Sequence, residues 1–376
     1  MKKKKKQLID SIAEPYRNTA DPQCEFFGSC GGCLFQDISY ANQLLLKKDY
    51  LNRIFKDVLE IEKVQPSIEY GYRNRMDYVA AFGKRGLRKR GFFKEVIDIT
   101  KCPLLQNESS KVWQDARQIT ENLNDYNFIV HKGILRYIVL RQSYFKKETM
   151  CNFVLNEYND ECVQALEKID ADSKSIIIHS GLADLSFGEV ERNIKNGFIT
   201  EEFDGIQFRI YPNSFFQSNS ECALNVYRKI ADASFGNLLD LYCGVGSISL
   251  FAVQKAEQVT GVEIVQEAVN AANENKELNN IINAEFICAD ALDYMKTKRN
   301  QFDCVILDPP RSGVHPKVYK HLSELNPKRI IYMSCNPSAF KEEIQYLPDY
   351  KISSFEAFDM FPQTPHIETL AVLDRK

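Results

Sequence analysis

A cysteine and two carboxylates in the C-terminal third are the residues best suited to do chemistry. Cys335 follows the apolar run Arg329–Ser334, where a strand gives way to a helix whose N-terminus would favour the thiolate. Asp308 ends the preceding apolar run and is followed by two prolines, and Glu368 begins the last apolar run. A lone cysteine at a strand end usually only packs in the core. Here the cysteine would lie at the carboxyl edge of a parallel sheet, where such sheets bind ligands, and this position favours a nucleophile.

This set of side chains suits the methylation of a pyrimidine at carbon. C5 of uracil is a poor nucleophile, and addition of a thiolate at C6 creates an enolate whose C5 can attack a methyl group. A base must then remove the C5 proton before the thiolate is eliminated. Cys335 is the predicted nucleophile and Glu368 the predicted base, whereas His366 is interpreted as structural.

Four other cysteines have the spacing of a metal centre. Cys24, Cys30 and Cys33 follow a C-x5-C-x2-C pattern, and Cys102, which precedes a proline, supplies a fourth thiolate. Four thiolates suit either zinc or an iron–sulfur cluster. Zinc sites usually contain two closely spaced pairs, and only one such pair exists here. The spacing therefore favours a [4Fe–4S] cluster, with zinc as the alternative.

The elements that must position the C-terminal residues alternate between strands and helices, which predicts a right-handed parallel sheet. The last two strands have no helix between them, which predicts an antiparallel hairpin at the sheet edge. We therefore predict an α/β, Rossmann-like domain over residues 206–376. The apolar runs that predict strands are Leu238–Tyr242, Gln258–Glu263, Glu285–Ala289, Asp303–Leu307, Arg329–Ser334, Lys351–Phe358 and Glu368–Asp374.

The ends of the first three strands predict a binding site for S-adenosylmethionine (SAM) of the class I methyltransferase type. Open α/β sheets bind ligands at this edge, where the first turn contains Gly244 and Gly246. Glu263 lies 19 residues after Gly244, about the spacing at which a carboxylate reaches ribose hydroxyls. Asp290, after the third strand, could reach an adenine. The G-x-G turn alone is a weak signal, and a nucleotide-binding or dehydrogenase domain is the alternative.

The N-terminal half is predicted to hold a flexible basic arm over residues 1–23 and an α+β domain over residues 24–205. The arm contains Lys2–Lys6. In the α+β domain, Lys84–Lys94 contains six Lys or Arg residues with Phe92 and Phe93 among them, and its basic part is predicted to form a turn. Such a stretch can follow a phosphate backbone and stack bases, and a solvated face is the alternative.

Composition indicates a soluble cytoplasmic protein. The 376 residues are 44% apolar and 26% charged, with a net charge of −3. No apolar run approaches the ~18 residues that span a bilayer, and the N-terminal lysines are not followed by the apolar segment of a secretory signal. We therefore expect no membrane association, no obligate protein partner and no disulfides among the 11 cysteines.

Seven motifs that occur here in one order carry a family resemblance, which covers residues 24–374. Together they resemble the RNA uridine-C5 methyltransferase family, which includes the ribosomal and tRNA 5-methyluridine enzymes. The motifs are Q-C-x5-C-G-G-C, Y-R-N-R, P-x-S-F-F-Q, D-L-Y-C-G-x-G, L-D-P-P-R-x-G, Y-x-S-C-N-P and H-x-E.

The resemblance implies a role for each matching residue. Cys335 matches the family's nucleophile and Glu368 its proton acceptor. Gln217 by its position alone would cap a helix, but the resemblance makes it a SAM contact. The implied SAM contacts are Gln217, Tyr242, Ser247, Glu263, Asp290 and Asp308. The implied [4Fe–4S] ligands are Cys24, Cys30, Cys33 and Cys102.

The predicted substrate is an RNA, most simply 23S rRNA. Many ribosomal members carry an N-terminal RNA-binding (TRAM) domain, and only about 23 residues precede Cys24. A cluster without that domain is most similar to the 23S rRNA enzyme that acts at the uridine 747 type of site, with a tRNA T-loop uridine as the alternative. RNA cytosine-C5 enzymes have a cysteine in the fourth-strand motif, and Asp308–Gly313 contains none.

Two further hypotheses remain open from the residues. An RNA N-methyltransferase could use the D-P-P segment to hold an exocyclic amine. A cluster-carrying RNA-binding or redox protein could retain only a vestigial SAM site. The cluster itself is expected to order the segment between Cys24 and Cys102 for contact with RNA.

Overall fold

The N-terminal segment is helical where a flexible arm was expected. The computed structural model describes residues 3–297, 301–310 and 313–376, so Lys2 lies outside the described residues. Ile9 and Ile12 are buried in one core cluster with Leu46 and Tyr50, and this apolar packing explains the order of the segment. The elements of this region are α1 (Lys3–Ala13), a 3₁₀ helix (Glu14–Tyr16), α2 (Tyr40–Phe55) and β1 (Val64–Gln65).

A seven-stranded sheet with two helices on one face forms the α+β part of the chain. Its elements are β2 (Arg75–Ala81), β3 (Lys84–Lys89), β4 (Phe92–Asp98), α3 (Asn107–Ile119), β5 (Leu135–Gln142), β6 (Thr149–Leu155), α4 (Asp160–Lys168), β7 (Ser173–Ile178) and β8 (Glu189–Lys195). The strand order is β4-β3-β2-β5-β6-β7-β8, and only β6 and β7 are parallel. The basic stretch Lys84–Arg90, expected as a turn, is mostly strand β3.

A short hairpin and one helix connect the two sheets. They are β9 (Ile199–Phe203), β10 (Ile206–Ile210) and α5 (Ser220–Ala233). Phe203 and Phe208 pack in the core of the C-terminal domain, so the structural boundary precedes Ile199 instead of falling at residue 206. The side chain of Asn219 caps α5 by accepting from the N–H of Cys222 at 3.1 Å, so the capping interpretation of Gln217 is wrong.

The C-terminal domain is the expected α/β fold, built on a sheet of parallel strands with one antiparallel insertion. Its elements are β11 (Gly236–Leu241), α6 (Ser247–Ala252), β12 (Ala256–Glu263), α7 (Gln266–Leu278), β13 (Ala284–Cys288), α8 (Ala291–Lys296), β14 (Cys304–Leu307), α9 (Pro316–Leu325), β15 (Arg329–Ser334), α10 (Pro337–Glu343), a 3₁₀ helix (Ile344–Tyr346), β16 (Tyr350–Phe358) and β17 (Glu368–Arg375). The order of the eight strands is β1-β16-β17-β15-β14-β11-β12-β13.

The final hairpin lies inside this sheet and not at its edge. β17 is antiparallel to both β15 and β16, and the N-terminal strand β1 pairs in parallel with β16 as the outermost strand. The sheet therefore contains Val64 and Gln65, two residues far from the other strands in the chain, and local sequence patterns could not predict this pairing.

Within the described ranges, none of the helices combines the length and the apolar character that crossing a membrane requires.

Candidate functional site

The pairing of β15 with β17 brings Cys335 and Glu368 together. The last pair of this antiparallel ladder joins Ser334 to Thr369, whose Oγ1 also donates to the Ser334 carbonyl at 3.1 Å. Continuing the register by one residue sets Cys335 opposite Glu368. The predicted nucleophile and the predicted base therefore share one point at the carboxyl edge of the sheet.

The two side chains differ in their exposure. Glu368 is buried, with 3% of its surface exposed, whereas Cys335 is half-buried. Cys335 lies in the turn between β15 and α10, where the N–H of Asn336 donates to Ser334 Oγ at 3.1 Å. Pro337 begins α10, a position at which proline's fixed φ favours the helix. This turn holds the cysteine at a surface that a substrate can reach.

Asp308 follows β14, which neighbours β15 in the sheet. Burial raises the pKa of its carboxyl to about 7. The next residues of the motif lead to Gly313, whose N–H donates to the Pro310 carbonyl at 2.8 Å. Arg311 and Ser312 of the same motif lie outside the described residues. The Asp308 carboxyl therefore lies in a site of low water access, one strand away from the cysteine.

Tyr227, which lies outside the sequence motifs, and Asp240, the first residue of the D-L-Y-C-G-x-G motif, are buried neighbours of the site that were not predicted as site residues. Burial raises the pKa of Tyr227, and the carboxylates of Asp308, Asp240 and Glu368 raise it further. Its hydroxyl lies 3.1 Å from Ser247 Oγ at the start of α6. Tyr227 therefore lies within electrostatic reach of the first turn, the D-P-P strand and the base. Only its helical spacing on α5 is visible in the sequence, and this spacing is typical of any core residue.

The turn after β11 is closed by Glu263. Its Oε2 accepts from the N–H of Gly244 at 3.2 Å, and its Oε1 accepts from Ile264 and Val265 at 2.8 and 3.0 Å. Gly246 has a φ of 79°, and a Cβ there would lie 2.8 Å from the ring of Phe286. The carboxylate thus orders the loop at the edge where a ribose is expected, and the turn requires glycine.

Tyr242, Asp290 and Ser247 surround the same edge. Tyr242 has a φ of 68°, which is unusual for a residue other than glycine. Burial raises the pKa of Tyr242, and the Asp290 carboxylate raises it further. Asp290 is exposed and caps α8 by accepting from the N–H of Asp293 at 3.1 Å. Capping alone explains an aspartate at position 290, so its predicted contact with the adenine stays a prediction.

Gln217 joins this edge to the N-terminal half. The side chain of Gln217 is buried, and its backbone carbonyl accepts from Asn74 Nδ2 at 2.7 Å. The same amide of Asn74 donates to Ser220 Oγ at 2.9 Å. The backbone of Arg73 forms an isolated antiparallel β-bridge with that of Asn219. The Y-R-N-R and S-F-F-Q motifs are therefore adjacent in space, so the two halves of the chain contact each other beside Gln217.

The four candidate metal ligands line a single cavity of about 750 Å³. Burial raises the pKa of the Cys33 thiol to about 11 and that of Cys102 to about 12, and the neighbouring cysteines add to both shifts. The N–H of Gly32 donates to Cys30 Sγ at 3.3 Å. Within the described residues, no three His, Cys, Asp or Glu side chains are grouped closely enough to hold a metal ion. The thiols share one cavity without forming a compact site for an ion.

A cationic and aromatic rim surrounds this cavity. Phe92 and Phe93 begin β4 and have 59% and 68% of their surfaces exposed. The cysteine segment pairs with β3, because the N–H of Gly31 donates to the Arg88 carbonyl at 3.0 Å. The residues that form this rim are Arg73, Arg88, Lys89, Arg90, Phe92, Phe93 and Lys101.

Comparisons with known proteins give a consistent result. Residues 39–376 match the family described as tRNA (Uracil-5-)-methyltransferase. The tRNA (uracil(54)-C(5))-methyltransferases of Pyrococcus furiosus and Pyrococcus abyssi are each 37% identical to this chain, over 357 and 355 residues, which is 94% of this chain and 85% of each relative. The crystal structure of the Pyrococcus abyssi enzyme in complex with S-adenosyl-L-homocysteine has a TM-score of 0.81 and 35% identity, and the match covers 92% of this chain and 86% of that chain.

The raised pKa of Asp308 predicts a pH dependence of SAM binding. Because the free carboxyl titrates near pH 7, it is mostly charged at pH 8 and mostly neutral at pH 6. Its attraction for the sulfonium of SAM falls accordingly, and the Kd measured by titration calorimetry should rise about tenfold between pH 8 and pH 6.

S-adenosylhomocysteine, which lacks the positive charge, is the matched ligand and should show a weaker pH dependence. Asp240 is a second carboxyl whose pKa burial raises to about 7, and Asp308→Asn separates the two. If Asp308→Asn kept the wild-type pH dependence, Asp308 would not be the titrating group.

Proposed function

The chain belongs to the tRNA (uracil-5-)-methyltransferase family, and we propose that it methylates C5 of a uridine in the T loop of tRNA. It is a SAM-dependent RNA (uracil-C5)-methyltransferase. The observation that supports the proposed chemistry is the register of β15 and β17, which brings Cys335 and Glu368 to the same end of the ladder, at the edge where the methyl donor is proposed to bind.

The proposed reaction uses these two side chains in sequence. The Cys335 thiolate adds to C6 of the uracil, a C–S bond forms, and the ring electrons move onto C5 and the C4 carbonyl. C5 then takes the methyl group from the sulfonium, which leaves S-adenosylhomocysteine as the product. The Glu368 carboxylate removes the proton from C5, the C5–C6 double bond re-forms, and the C–S bond breaks to release the thiolate.

The methyl donor is proposed to bind along the carboxyl edge of the sheet. Glu263 would accept from the ribose hydroxyls with the lone pairs left by its three backbone donors. Tyr242 and Asp290 lie close together where the adenine is expected. Asp308 is proposed to face the methyl group. Gln217 and Ser247 complete the proposed contacts, and Tyr227 supports Ser247 from the protein side.

The relatives favour tRNA over 23S rRNA as the substrate. The curated enzymes from Pyrococcus furiosus and Pyrococcus abyssi are named for uracil 54 of tRNA, and each aligns with 94% of this chain. The 23S rRNA target expected from the architecture rested on the distance between the first residue and Cys24. Alignment along nearly the whole chain is the stronger argument.

The rim of the cysteine cavity suits the RNA. Two exposed phenylalanines can stack bases, and the surrounding Arg and Lys side chains can neutralise phosphates. Part of this charge is used internally, since Arg88 pairs with Asp184 at 2.7 Å and Lys89 with Glu95 at 2.6 Å. Arg90 and Phe93 are therefore the residues of the rim that we propose contact the RNA most directly.

We also propose that the four cysteines of this cavity hold a [4Fe–4S] cluster. Four thiols surround one cavity, and a cluster would have to draw them together to use them as its ligands. Backbone N–H groups near Cys24, Cys30 and Cys102 would then stabilise the thiolates. A bound cluster would supply structural order to the segment that carries the rim. The high pKa values of the free thiols mean that binding must release protons.

A covalent trap tests the proposed chemistry. RNA that contains 5-fluorouridine should form a complex with the wild-type protein and SAM that survives denaturing electrophoresis, because fluorine cannot be removed as a proton. Cys335→Ala should form none and should lose about 10³-fold or more of the methylation rate.

Cys288→Ala is the matched control, because Cys288 is exposed at the end of β13 and has no proposed role. A Cys335→Ala variant that still methylates RNA would contradict the nucleophile and favour the N-methyltransferase hypothesis.

Transcripts separate the two candidate substrates. A tRNA transcript should accept a tritiated methyl group from SAM, and replacement of its uridine 54 by cytidine should abolish incorporation. A 23S rRNA fragment that contains uridine 747 should remain unlabelled. The reverse pattern would reject the tRNA proposal and restore the rRNA target.

Metal analysis of anaerobically purified protein tests the cluster. We expect about four iron atoms per chain with visible absorbance, lost in Cys102→Ser and retained in Cys288→Ser. One zinc atom without visible absorbance would favour the zinc alternative, and metal-free, folded and active protein would contradict both.

A further inference from the structure

We propose that Lys47, Gln43 and Tyr72 position the catalytic base by fixing residues 359–367, the loop that leads into Glu368 and is called the base loop here. This inference rests on the proposed function, since it assigns these residues to one step of that reaction. All three precede β2 in the chain, so the position of the base near the C-terminus depends on the N-terminal part of the chain.

The first contact is a fully buried ion pair. The ammonium of Lys47 pairs with the carboxylate of Asp359, and both side chains have 0% exposure. Lys47 Nζ also donates to the Phe361 carbonyl at 3.2 Å. Burial lowers the pKa of Lys47, while the carboxylate of Asp359 opposes this shift. Because desolvation makes a buried ion pair a poor source of stability, its presence here calls for another role, and fixing a local geometry is one such role.

The second contact is a pair of hydrogen bonds between two glutamines. Gln43 Nε2 donates to Gln363 Oε1 at 2.8 Å, and the backbone N–H of Gln363 donates to Gln43 Oε1 at 2.9 Å. Gln363 has a φ of 67°, a left-handed conformation that costs free energy for this residue type. The surrounding contacts therefore hold the middle of the base loop in one conformation that it would not adopt freely.

The third contact comes from the segment between β1 and β2. The hydroxyl of Tyr72 donates to the Pro362 carbonyl at 3.0 Å, and the Tyr72 ring is fully buried. The cysteine segment adds to it, because the N–H groups of Leu34 and Phe35, directly after Cys33, donate to the Gln363 carbonyl at 2.8 and 3.1 Å. The base loop is thus held from three independent elements.

These contacts act on Glu368 through the end of the hairpin. Phe358 pairs with Glu368 as the last pair between β16 and β17, and the base loop connects these two residues. The ends of ladders fray more readily than their middles. A fixed loop prevents that fraying, so the carboxylate of Glu368 keeps its place opposite Cys335 when the C5 proton must be removed.

The proposal predicts a distinct kinetic signature for Lys47→Met. Addition of Cys335 and methyl transfer should proceed, whereas removal of the C5 proton should slow. We expect kcat to fall about tenfold to a hundredfold with the KM for tRNA changed less than about threefold. We also expect a covalent complex with ordinary tRNA to accumulate on denaturing gels, and mass spectrometry should show that it is methylated.

Arg329→Met is the matched control. Arg329 forms a half-buried ion pair with Asp374 at the opposite end of β17, 2.7 Å apart, so the variant loses an ion pair on the same strand. It should show no accumulated complex. Glu368→Gln is the positive reference, because it removes the base and should accumulate the same methylated complex.

Tyr72→Phe keeps the inference testable if Lys47→Met does not fold, because it removes only one hydroxyl. It should show the same complex at a lower level. Folded variants with wild-type kcat, or with kcat lowered and no complex, would overturn the inference. If wild-type protein gave no complex with 5-fluorouridine RNA, the proposed function would fail instead.

Discussion

The antiparallel pairing of β15 with β17 is the constraint on which the site depends. Cys335 and Glu368 are far apart in the chain, and no local structure could bring them together. The ladder from Arg329↔Asp374 to Ser334↔Thr369 brings them together, because each residue pair determines the next pair along the two strands. A shift of the register by one residue would move every side chain of β17 to the other face of the sheet, and the base would leave the nucleophile.

The two halves of the chain are joined by polar contacts as well as by apolar packing. The amide of Asn74 donates to the backbone carbonyl of Gln217 and to Ser220 Oγ, and Asn219 Nδ2 donates to Ser67 Oγ at 2.7 Å. Buried amides must find partners, so these contacts restrict how the halves can be oriented. The cysteine cavity, the methyl-donor edge and the base loop are therefore parts of one arrangement, although motifs from different stretches of sequence build them.

Much of the C-terminal domain could be predicted, because parallel strands leave continuous apolar runs. The run Arg329–Ser334 is β15 residue for residue, and Asp308 and Glu368 lie at strand ends as expected. The α1 helix was missed because its lysine-rich sequence suggested solvation, whereas Ile9, Ile12 and Ala13 pack it into a core cluster. The role of Asn219 as the cap of α5 was missed because capping was assigned to Gln217, two residues earlier in the chain. Lys47 and Asp359 could not be paired from the sequence, since their contact depends on the fold of both halves.

The two-residue strand β1 has a consequence for how the chain behaves outside its native state. Val64 pairs with Ala357 and Gln65 with Phe358, and the Asp359 N–H donates to the Gln65 carbonyl at 2.9 Å. This short strand covers part of the border of the large sheet. A chain that lost it by cleavage would offer the backbone groups of β16 to other molecules, and exposed borders of this kind are where separate sheets join into aggregates.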